Sequence, residues 1–554
     1  MWSTPKRQNT ASSLASGKLA NWDQTLTLDI LGRSPKKQNR REFLRALGLG
    51  ASALALSRFP ACRSRGKTYP NIVYIIADDM GYGDVSCLNP GCKIPTPNMD
   101  RLASGGMIFT DAHSGSAVCT PTRYGILTGR YSWRSRLESG VLWGYSRTLI
   151  PKSRMTVASL LKQHGYATAC VGKWHLGWNW ATTDGTIFSD RSDETGESVD
   201  YSKPISGGPV ELGFDYFFGI PASLDMLPYV YVENDRVVAA PTETIEGTEG
   251  RRFYRGGPIA PGFKHEEVLP NCTQKAVAFI DNHAKTKSGA PFFLYFPLNA
   301  PHTPILPTED FQGKSGIGPY GDFVMQCDWT VGQIMQALDR HDLTENTLFI
   351  VTSDNGCSPM ADFDDLAQQG HQPSYHFRGH KADIYEGGHR IPFIVRWPTN
   401  VKPDSTCDDT ICLTDLLETV AAILDFDLPD DAGEDSVSLL PDLLGKAFGP
   451  VREATVHHSV NGSFSIRQGK WKLEFCPGSG GWSYPGPKEA KKLGLPKFQL
   501  YDLSQDIGEQ NNVMDKHPEV VEYLIKLVAK YVNDGRSTPG PAQKNDRPVS
   551  ILFW

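Results

Sequence analysis

Four short apolar segments of this chain are each followed by charged or metal-binding side chains. The segments, residues 72–76, 167–171, 292–296 and 348–352, are rich in aliphatic and aromatic residues and are typical of buried strands. In chain order, the polar residues that follow them are Asp78 and Asp79, Lys173 and His175, His302, and Asp354 and Asn355. Open α/β sheets bind ligands at the carboxyl ends of their strands, so this arrangement predicts one pocket shared by all four segments.

The same alternation extends over most of the chain. From about residue 70 to residue 430, short apolar runs alternate with helix-like segments, of which residues 157–163 before Gly165 are one. This pattern predicts an α/β fold with a large mixed, mostly parallel sheet sandwiched by helices. We assign residues 68–445 to this body.

The pattern changes after residue 445. Residues 464–467 and 471–475 alternate around a Gln-Gly-Lys turn, which predicts a hairpin, and a helix with one apolar face begins at Pro518. We therefore expect residues 446–540 to form a small C-terminal α+β domain with an antiparallel sheet. Residues 541–554 would then be a tail.

The charge of the chain excludes some classes of partner. The 554 residues carry a net charge of −6, with 40% hydrophobic and 21% charged residues, as in ordinary globular enzymes. Without a basic excess, nucleic acid is not an expected partner, and an anionic substrate would have to be held by a local cluster of cations. No apolar run approaches the length of about 20 residues that a bilayer-spanning helix needs.

The N-terminal region resembles an export signal. Residues 39–45, Asn-Arg-Arg-Glu-Phe-Leu-Arg, precede an apolar run of small residues at 46–56, as in signals read by the bacterial twin-arginine export machinery. A short amphipathic helix is the alternative. We predict that residues 1–62 are a disordered extension followed by this signal, and that the mature protein lies in the periplasm. Cys62 faintly resembles a lipoprotein acylation site, although Phe59 departs from that pattern.

The oxygen ligands after the first and fourth segments indicate a divalent cation. Asp78, Asp79, Asp354 and Asn355 offer carboxylate and amide oxygens, which calcium and magnesium prefer, and no cluster of histidines accompanies them as zinc would favour. Adjacent aspartates would also repel each other unless a cation lay between them. The alternatives are solvated turns at both places. We predict one calcium ion, with magnesium as the second choice.

A thiol, a proline and an arginine stand at fixed spacing in Cys119-Thr120-Pro121-Thr122-Arg123, before a predicted helix. Pro121 fits the first helical turn, and Cys119 would then lie near the positive end of the helix dipole, where an anion is stabilised. A buried thiol beside a helix start is the alternative. The pentapeptide resembles the signature of type I sulfatases, in which a formylglycine-generating enzyme oxidises the cysteine to formylglycine.

Other motifs extend this resemblance to arylsulfatase-like members of the alkaline phosphatase superfamily, over about residues 70–535. Residues 172–177 match the family's Gly-Lys-x-His-x-Gly motif, His302 matches its histidine after the middle strand, and Lys381 matches its lysine before Tyr-Glu-Gly-Gly-x-Arg. Ser223 resembles a serine that some arylsulfatases use near the sulfate. The resemblance implies that one calcium ion is held by Asp78, Asp79, Asp354, Asn355 and the residue formed from Cys119.

By this resemblance the reaction is the hydrolysis of sulfate esters. One hydroxyl of the hydrated formylglycine attacks sulfur and expels the alcohol, with His302 or Lys381 placed to protonate the leaving oxygen. The second hydroxyl then loses its proton toward His175, and sulfate leaves as the aldehyde re-forms. An ordinary serine or cysteine ester has no such internal exit. Arg123, Lys173 and the metal stabilise the negative charge on the sulfate oxygens.

Three other functions compete with this interpretation of the sequence. A phosphonate monoester or phosphodiester hydrolase of the same superfamily can use the same modified cysteine. A non-catalytic, exported sugar-binding relative could keep the fold without the aldehyde. A thiol hydrolase that pairs Cys119 with a histidine conflicts with the carboxylate cluster.

The substrate that the sequence favours is a sulfated carbohydrate rather than a steroid or simple aryl sulfate. A polar, aromatic cleft would suit a sulfated sugar, although tryptophans in the core are the ordinary alternative. The candidate lining residues are Trp143, Trp174, Trp178, Trp180, Trp482, Tyr484, His371, His376 and His380.

Overall fold

The computed structural model describes residues 69–190, 195–286 and 289–552. The predictions for residues 1–62, among them the export signal and Cys62, lie outside these residues. In the described residues the strands are β1 (Asn71–Asp78), β2 (Met107–Phe109), β3 (Ala112–His113), β4 (Ala167–Lys173), β5 (Tyr216–Ile220), β6 (Val232–Glu233), β7 (Arg236–Val237), β8 (Glu243–Ile245), β9 (Gly257–Ile259), β10 (Phe292–Pro301), β11 (Thr347–Ser353), β12 (Phe393–Arg396), β13 (Ser405–Cys407), β14 (Ile411–Cys412), β15 (Thr455–His458), β16 (Phe464–Gln468), β17 (Trp471–Glu474) and β18 (Gln499–Asp502). The α-helices of the same residues are α1 (Pro97–Ser104), α2 (Cys119–Thr128), α3 (Val157–Gln163), α4 (Val268–Thr286), α5 (Pro319–Arg340), α6 (Phe363–Gln368), α7 (Glu386–His389), α8 (Leu416–Leu424), α9 (Leu440–Leu443), α10 (Pro487–Lys492) and α11 (Pro518–Asn533).

A ten-stranded sheet lies at the centre of this part of the chain, in the order β13-β2-β12-β11-β1-β10-β4-β5-β6-β7. β1 pairs in parallel with both β10 and β11, and the parallel pairing continues from β10 through β4 to β5. β12 and the strands β6 and β7 pair antiparallel with their neighbours. The four predicted segments are therefore the adjacent strands β11, β1, β10 and β4, and the mixed, mostly parallel α/β fold is confirmed.

Helices cover the central strands, whose sequences are continuous apolar runs because both faces are buried. Every residue of β1, β10 and β11 is buried. α4 and α5 pack against β10 and against each other, and α3 packs against β4. α3 begins after Thr156, whose side chain accepts a hydrogen bond from Ser159 N, and it ends before Gly165 at a left-handed φ of 82°. In the described residues we find no helix that is both long and apolar enough to cross a membrane.

The C-terminal part contains a four-stranded antiparallel sheet in the order β15-β16-β17-β18. The predicted hairpin is β16 and β17, with Ile466 opposite Leu473. Both residues share a hydrophobic cluster with Tyr131 and Trp133 of the main body, so the small sheet packs on that body. α11 contributes its apolar face to the same cluster through Leu524, Leu527, Val528 and Tyr531. The predicted α+β architecture is confirmed, while the boundaries of a separate domain remain a prediction.

The segment after α11 is fastened to the main body. Arg134 donates hydrogen bonds to Tyr531 O and Asn545 Oδ1 at 2.9 and 3.0 Å, and its own carbonyl accepts from Asp546 N at 2.8 Å. Arg130 Nη2 lies 3.0 Å from Asp546 Oδ1. The described part of the tail therefore wraps the surface.

Candidate functional site

The carboxyl ends of four adjacent strands bring the predicted polar residues together at one edge of the large sheet. Hydrogen bonds join the ends of β1 and β11, because Asp354 N donates to Ala77 O at 3.1 Å and Asp79 N donates to Asp354 Oδ1 at 3.2 Å. The residues at or just beyond the strand ends are Asp78 and Asp79 for β1, Lys173 and His175 for β4, His302 for β10, and Asp354 and Asn355 for β11.

Two cations contact the inner aspartates, and one of them, Arg123, bridges Asp78 and Asp354. Lys173 Nζ lies 2.6 Å from Asp78 Oδ2. Arg123 donates through Nε and Nη2 to Asp354 Oδ2 at 3.0 and 2.7 Å, and its Nη2 lies 3.5 Å from Asp78 Oδ1. All four side chains are fully buried, so these charges interact far more strongly than they would in water.

Asp79 forms the other side of the pocket. Its Oδ1 accepts from Asn355 Nδ2 at 2.8 Å, and its Oδ2 accepts from Lys381 Nζ at 2.7 Å. His302 Nε2 lies 3.7 Å from the same Oδ2, while its Nδ1 donates to Thr303 O, so Nε2 is the nitrogen that faces the pocket. Asp79 adopts a φ of 66°, a strained left-handed conformation of the kind that concentrates at functional sites.

Cys119 is the first residue of α2, which confirms the predicted helix after the thiol. Its sulfur and one carboxylate oxygen each of Asp78 and Asp354 lie within 4.8 Å of one another. The loop that carries Lys381 is tied to the segment before α2, because Ala382 N donates to Ala117 O at 2.8 Å. The thiol therefore lies among the predicted metal ligands.

His175 presents one free ring nitrogen. Its Nε2 donates to Leu142 O at 2.7 Å, since a carbonyl oxygen can only accept, and its buried Nδ1 has no hydrogen-bond partner among the described residues. The carbonyl of His175 accepts from Thr120 Oγ1 at 3.0 Å, and its N–H donates to Pro221 O at 3.0 Å. Ser223, two residues further on, is buried with an Oγ that likewise finds no partner in the described residues, and no hydrogen bond joins it to the other predicted site residues.

Burial and neighbouring charges set the protonation of the two inner carboxylates. Burial favours the neutral form of Asp78, but the charges of Lys173, His302 and Arg123 outweigh it and hold the pKa of Asp78 well below its usual range. Burial and the negative charge of Asp78 raise the pKa of Asp354 to about 7, against the opposing effect of Arg123. Of the two inner carboxylates, Asp354 is therefore the harder one to ionise, and additional positive charge bound nearby would favour its ionised form.

The thiol, the imidazole and the lysine also have shifted pKa values. Burial raises the pKa of Cys119, with Lys173 and Lys381 opposing it. Burial and the charge of Lys173 hold the pKa of His175 well below its usual range, so this imidazole is neutral at pH 7. Burial alone would lower the pKa of Lys381, but Asp79 raises it above the ordinary value, so the side chain remains an ammonium donor.

The donor set fits a hard divalent cation. Asp78 Oδ1 and Asn355 Oδ1 are buried and accept no hydrogen bond from any described residue. Buried oxygens that accept no hydrogen bond cost free energy, and a calcium or magnesium ion would coordinate both of them. The residues present therefore match the oxygen-rich ligand set predicted from the sequence.

Four of the residues considered for an aromatic cleft belong to the interior instead. Trp174, Trp178 and Trp180 are buried in the main hydrophobic core. His371 is fully buried, with its Nε2 2.8 Å from Asp84 Oδ1. Hydrophobicity alone predicts both locations for a tryptophan, so only the structure separates them.

Two exposed aromatic residues remain near Lys381. Trp482 and Tyr484 are 53% and 76% exposed. The loop that carries them is anchored by Trp482 N, which donates to Asp383 Oδ1 at 2.8 Å, and by a 3.0 Å contact between Ser483 Oγ and His380 Nε2. These residues are therefore exposed on a loop that is attached close to Lys381 in the chain.

Sequence reasoning missed one pair of residues beside this pocket. Arg255 Nη1 lies 2.5 Å from Asp225 Oδ2, and the guanidinium lies 4.8 Å from the centroid of the Trp143 ring. The two residues are 30 positions apart in irregular segments, and no motif marks either one. Only a general preference of arginine for tryptophan faces could have pointed to them.

The chain as a whole is similar to proteins of known activity. A model of the Sulfatase family matches residues 70–426. The chain is 39% identical over 503 residues to the N-acetylgalactosamine-6-O-sulfatase of Bacteroides thetaiotaomicron, covering 83% of this chain and 92% of that protein. It is 33% identical over 493 residues to arylsulfatase A of Homo sapiens, covering 86% of this chain and 90% of that protein.

The structure also matches a solved structure with a TM-score of 0.72 and 37% sequence identity. That structure was solved in work on the metabolism of multiple glycosaminoglycans by Bacteroides thetaiotaomicron. The match covers 84% of this chain and 99% of that one. The chain therefore belongs to the sulfatase family. Within it, the protein is an arylsulfatase-like sulfatase, a sulfuric ester hydrolase.

Proposed function

We propose that this sulfatase hydrolyses sulfate esters of carbohydrates, with a formylglycine formed from Cys119 and one bound calcium ion. The observation that carries the proposal is the position of the Cys119 sulfur within 4.8 Å of carboxylate oxygens of Asp78 and Asp354. The cations Arg123 and Lys173 border the same point. The relative named as an N-acetylgalactosamine-6-O-sulfatase supports a sugar substrate.

Calcium would be held by Asp78, Asp79, Asp354 and Asn355, together with the residue at position 119. When bound, the ion supplies positive charge that favours the ionised form of a nearby hydroxyl and neutralises the clustered carboxylates. The raised pKa of Asp354 and the unpaired Asn355 Oδ1 support this assignment. Formylglycine supplies, in its hydrated form, a hydroxyl nucleophile that a thiol lacks.

The remaining residues would bind sulfate and move protons. Lys173 and Arg123 place donors on one side of the pocket, where they would neutralise the charge of the sulfate oxygens. Lys381 and His302 approach the same oxygen of Asp79, and this shared position supports their assignment as proton donors to the leaving alcohol. His175, neutral and with a free Nδ1, would accept a proton on the opposite side.

The first experiment tests the modification and the substrate together. The full chain is produced together with a formylglycine-generating enzyme, and the mass of the peptide that contains residue 119 is measured by mass spectrometry. Sulfate release is then measured from 4-nitrophenyl sulfate and from a panel of sulfated mono- and oligosaccharides. We expect a mass loss at residue 119 and turnover of N-acetylgalactosamine 6-sulfate. Full turnover by an unmodified thiol would refute the formylglycine, and activity confined to aryl sulfates would refute the carbohydrate. Faster cleavage of aryl phosphonates would instead favour the phosphonate monoester hydrolase.

The second experiment tests the ion. We expect about one calcium per chain by elemental analysis, loss of activity on chelation, and recovery with calcium more than with magnesium. Calcium at about 100 times its Kd should raise the free energy of unfolding by about 2.7 kcal/mol. Asn355→Ala should abolish that increment, and an equal increment in this variant would place the ion elsewhere.

We also propose that residues 1–62 direct twin-arginine export to the periplasm, with Cys62 as a lipid attachment site. The support is the Arg40-Arg41 pair before the apolar run at residues 46–56. Replacing both arginines with lysine should retain the protein in the cytoplasm on fractionation. Unchanged export of that variant would refute the signal.

A further inference from the structure

The loop after β5 lies beside His175, the histidine that follows β4. His175 N donates to Pro221 O at 3.0 Å, and its Nε2 donates to Leu142 O at 2.7 Å. Trp143 follows Leu142 directly, and the Arg255 guanidinium lies 4.8 Å from the Trp143 ring centroid. Arg255 is therefore connected to His175 through Trp143 and the adjacent Leu142.

The segment that carries Arg255 also reaches the histidine after β10. Thr303 Oγ1 donates to Arg251 O at 3.0 Å, and Ile305 N donates to the same oxygen at 2.8 Å. Thr303 is the residue next to His302. Residues 251–255 thus connect the two sides of the pocket that bear His302 and His175.

Asp225 and Arg255 are held together rigidly at this margin. Arg255 Nη1 lies 2.5 Å from Asp225 Oδ2 and 3.0 Å from Asp225 O, and Tyr229 OH donates to Arg255 O at 2.7 Å. Asp225 is nearly buried, whereas the Arg255 side chain is 35% exposed. The guanidinium is therefore fixed in position and still accessible to a ligand.

One oxygen of this ion pair and the hydroxyl of nearby Ser223 have no hydrogen-bond partner among the described residues. Asp225 Oδ1 and Ser223 Oγ are buried and make no hydrogen bond to any described residue. A buried polar atom without a hydrogen-bond partner is costly, so a purely structural ion pair would not be expected to retain such atoms. Among the described residues, the side-chain hydrogen bonds of Arg255 run through Nη1, which leaves Nε and Nη2 to donate elsewhere.

We propose that Ser223, Asp225 and Arg255 form a subsite that binds hydroxyl groups of the sugar ring beside the sulfate pocket. This inference rests on the proposed carbohydrate function. A sugar hydroxyl both donates and accepts, so it can donate to Asp225 Oδ1 while it accepts from Arg255. The positive charge of Arg255 is already neutralised by Asp225, which favours a neutral hydroxyl over a second sulfate or a carboxylate.

The subsite would distinguish sugar sulfates from aryl sulfates. A buried site built to hydrogen-bond a hydroxyl discriminates strongly against an analogue that lacks it, because its own polar groups are then left unpaired. 4-Nitrophenyl sulfate has no hydroxyl to offer. The sulfate pocket would cleave both substrates, but only the sugar would form additional hydrogen bonds with Asp225 and Arg255.

Asp225→Ala and Arg255→Met, measured with N-acetylgalactosamine 6-sulfate and 4-nitrophenyl sulfate, test the proposal in the metal-loaded, modified enzyme. We expect each variant to lose about 100-fold in kcat/KM on the sugar, as expected for one or two buried hydrogen bonds, and less than about 3-fold on the aryl sulfate. Monodeoxy sugar sulfates sharpen the test. Wild type should discriminate against the analogue that lacks the bound hydroxyl, and Asp225→Ala should not.

Asp281→Asn is the matched control, because Asp281 pairs with Arg340 at 3.2 Å on the helical surface and should affect neither substrate. If Asp225→Ala lowers the melting temperature, Arg255→Lys replaces it, with an expected loss of about 10-fold on the sugar only. Equal losses on both substrates, or no loss on the sugar, would overturn the subsite. If wild type cleaves no sulfated sugar at all, the proposed carbohydrate function fails first, and the subsite fails with it.

Discussion

The pocket around Cys119 and a second group of charges beneath the C-terminal sheet are both almost completely buried, yet they are built differently. The second group, the inter-sheet cluster, consists of Asp111, Glu386, Arg467, Lys472 and Glu509. Lys472 Nζ lies 2.7 Å from Glu509 Oε1 and 3.2 Å from Glu386 Oε1. Arg467 Nη1 lies 2.5 Å from Asp111 Oδ1 and 3.6 Å from Glu386 Oε2.

The cluster pairs each carboxylate with a cation from another element, and it contains no nucleophile. Lys472 also donates to Ile384 O at 2.9 Å, and Glu386 N donates to Glu509 Oε2 at 2.7 Å, so the cluster fixes the segment after Lys381. The pocket instead keeps a neutral amide oxygen, that of Asn355, without a donor beside a thiol. Buried charge alone therefore does not identify a catalytic site, and what distinguishes the pocket is a thiol that lies among carboxylates.

Replacing Cys119, the proposed source of the nucleophile, should give the largest effect on activity and almost none on stability. We expect Cys119→Ala to lower kcat on 4-nitrophenyl sulfate by at least about 10⁴-fold, as loss of a nucleophile does in other hydrolases. The melting temperature should stay within a few degrees. Cys272→Ala, which removes another buried thiol, in α4, is the control and should retain full activity. If Cys119→Ala kept more than about 1% of the wild-type activity, the pocket around Cys119 would not be the catalytic site.

The inter-sheet cluster should respond in the opposite way. Lys472→Met leaves Glu386 and Glu509 without their shared cation, so we expect the free energy of unfolding in urea to fall by about 3–5 kcal/mol. The folded fraction should keep its turnover on 4-nitrophenyl sulfate within a few-fold. Lys470→Met, two residues earlier, breaks only a half-exposed pair with Asp502 and should cost less than about 1 kcal/mol. A larger loss of turnover than of stability would give the cluster a direct role in catalysis.

Acid should weaken the C-terminal sheet through His458 of β15. Burial lowers the pKa of His458 from 6.5 to about 4, although its contact with the Ser459 carbonyl opposes the shift. The unfolded chain therefore binds this proton first, so the stability that neutral His458 provides is present above about pH 6.5 and is lost as the pH falls toward 4. Between pH 7 and pH 4.5 the loss should be about 2.5 kcal/mol. His458→Gln should lose correspondingly less in urea titrations at the two pH values, and an identical loss would show that other groups carry the acid sensitivity.

The sequence predicted the pocket far better than the inter-sheet cluster. The strands that converge at Asp78 and Asp354 could be predicted because buried strands have a local pattern and parallel strands share an edge. The ion pairs could not, since Asp111 and Arg467 are 356 residues apart and charged side chains have no pattern that reveals a distant partner. Asp225 and Arg255 escaped prediction for the same reason.

Substrate contacts outside the pocket should give the smallest effect. Trp482 is half exposed on a loop anchored to Asp383, two residues after Lys381, so it can stack on a sugar ring without supporting the fold. We expect Trp482→Ala to raise KM for a sulfated oligosaccharide about 3–10-fold, equivalent to about 1 kcal/mol for an aromatic contact, with kcat unchanged. Tyr523→Ala on α11 removes an aromatic residue of similar exposure, 49%, and should change neither constant. Because a monosaccharide would not reach beyond the pocket, KM for N-acetylgalactosamine 6-sulfate should stay constant in Trp482→Ala. A rise on the monosaccharide as large as that on the oligosaccharide would place Trp482 within the pocket itself.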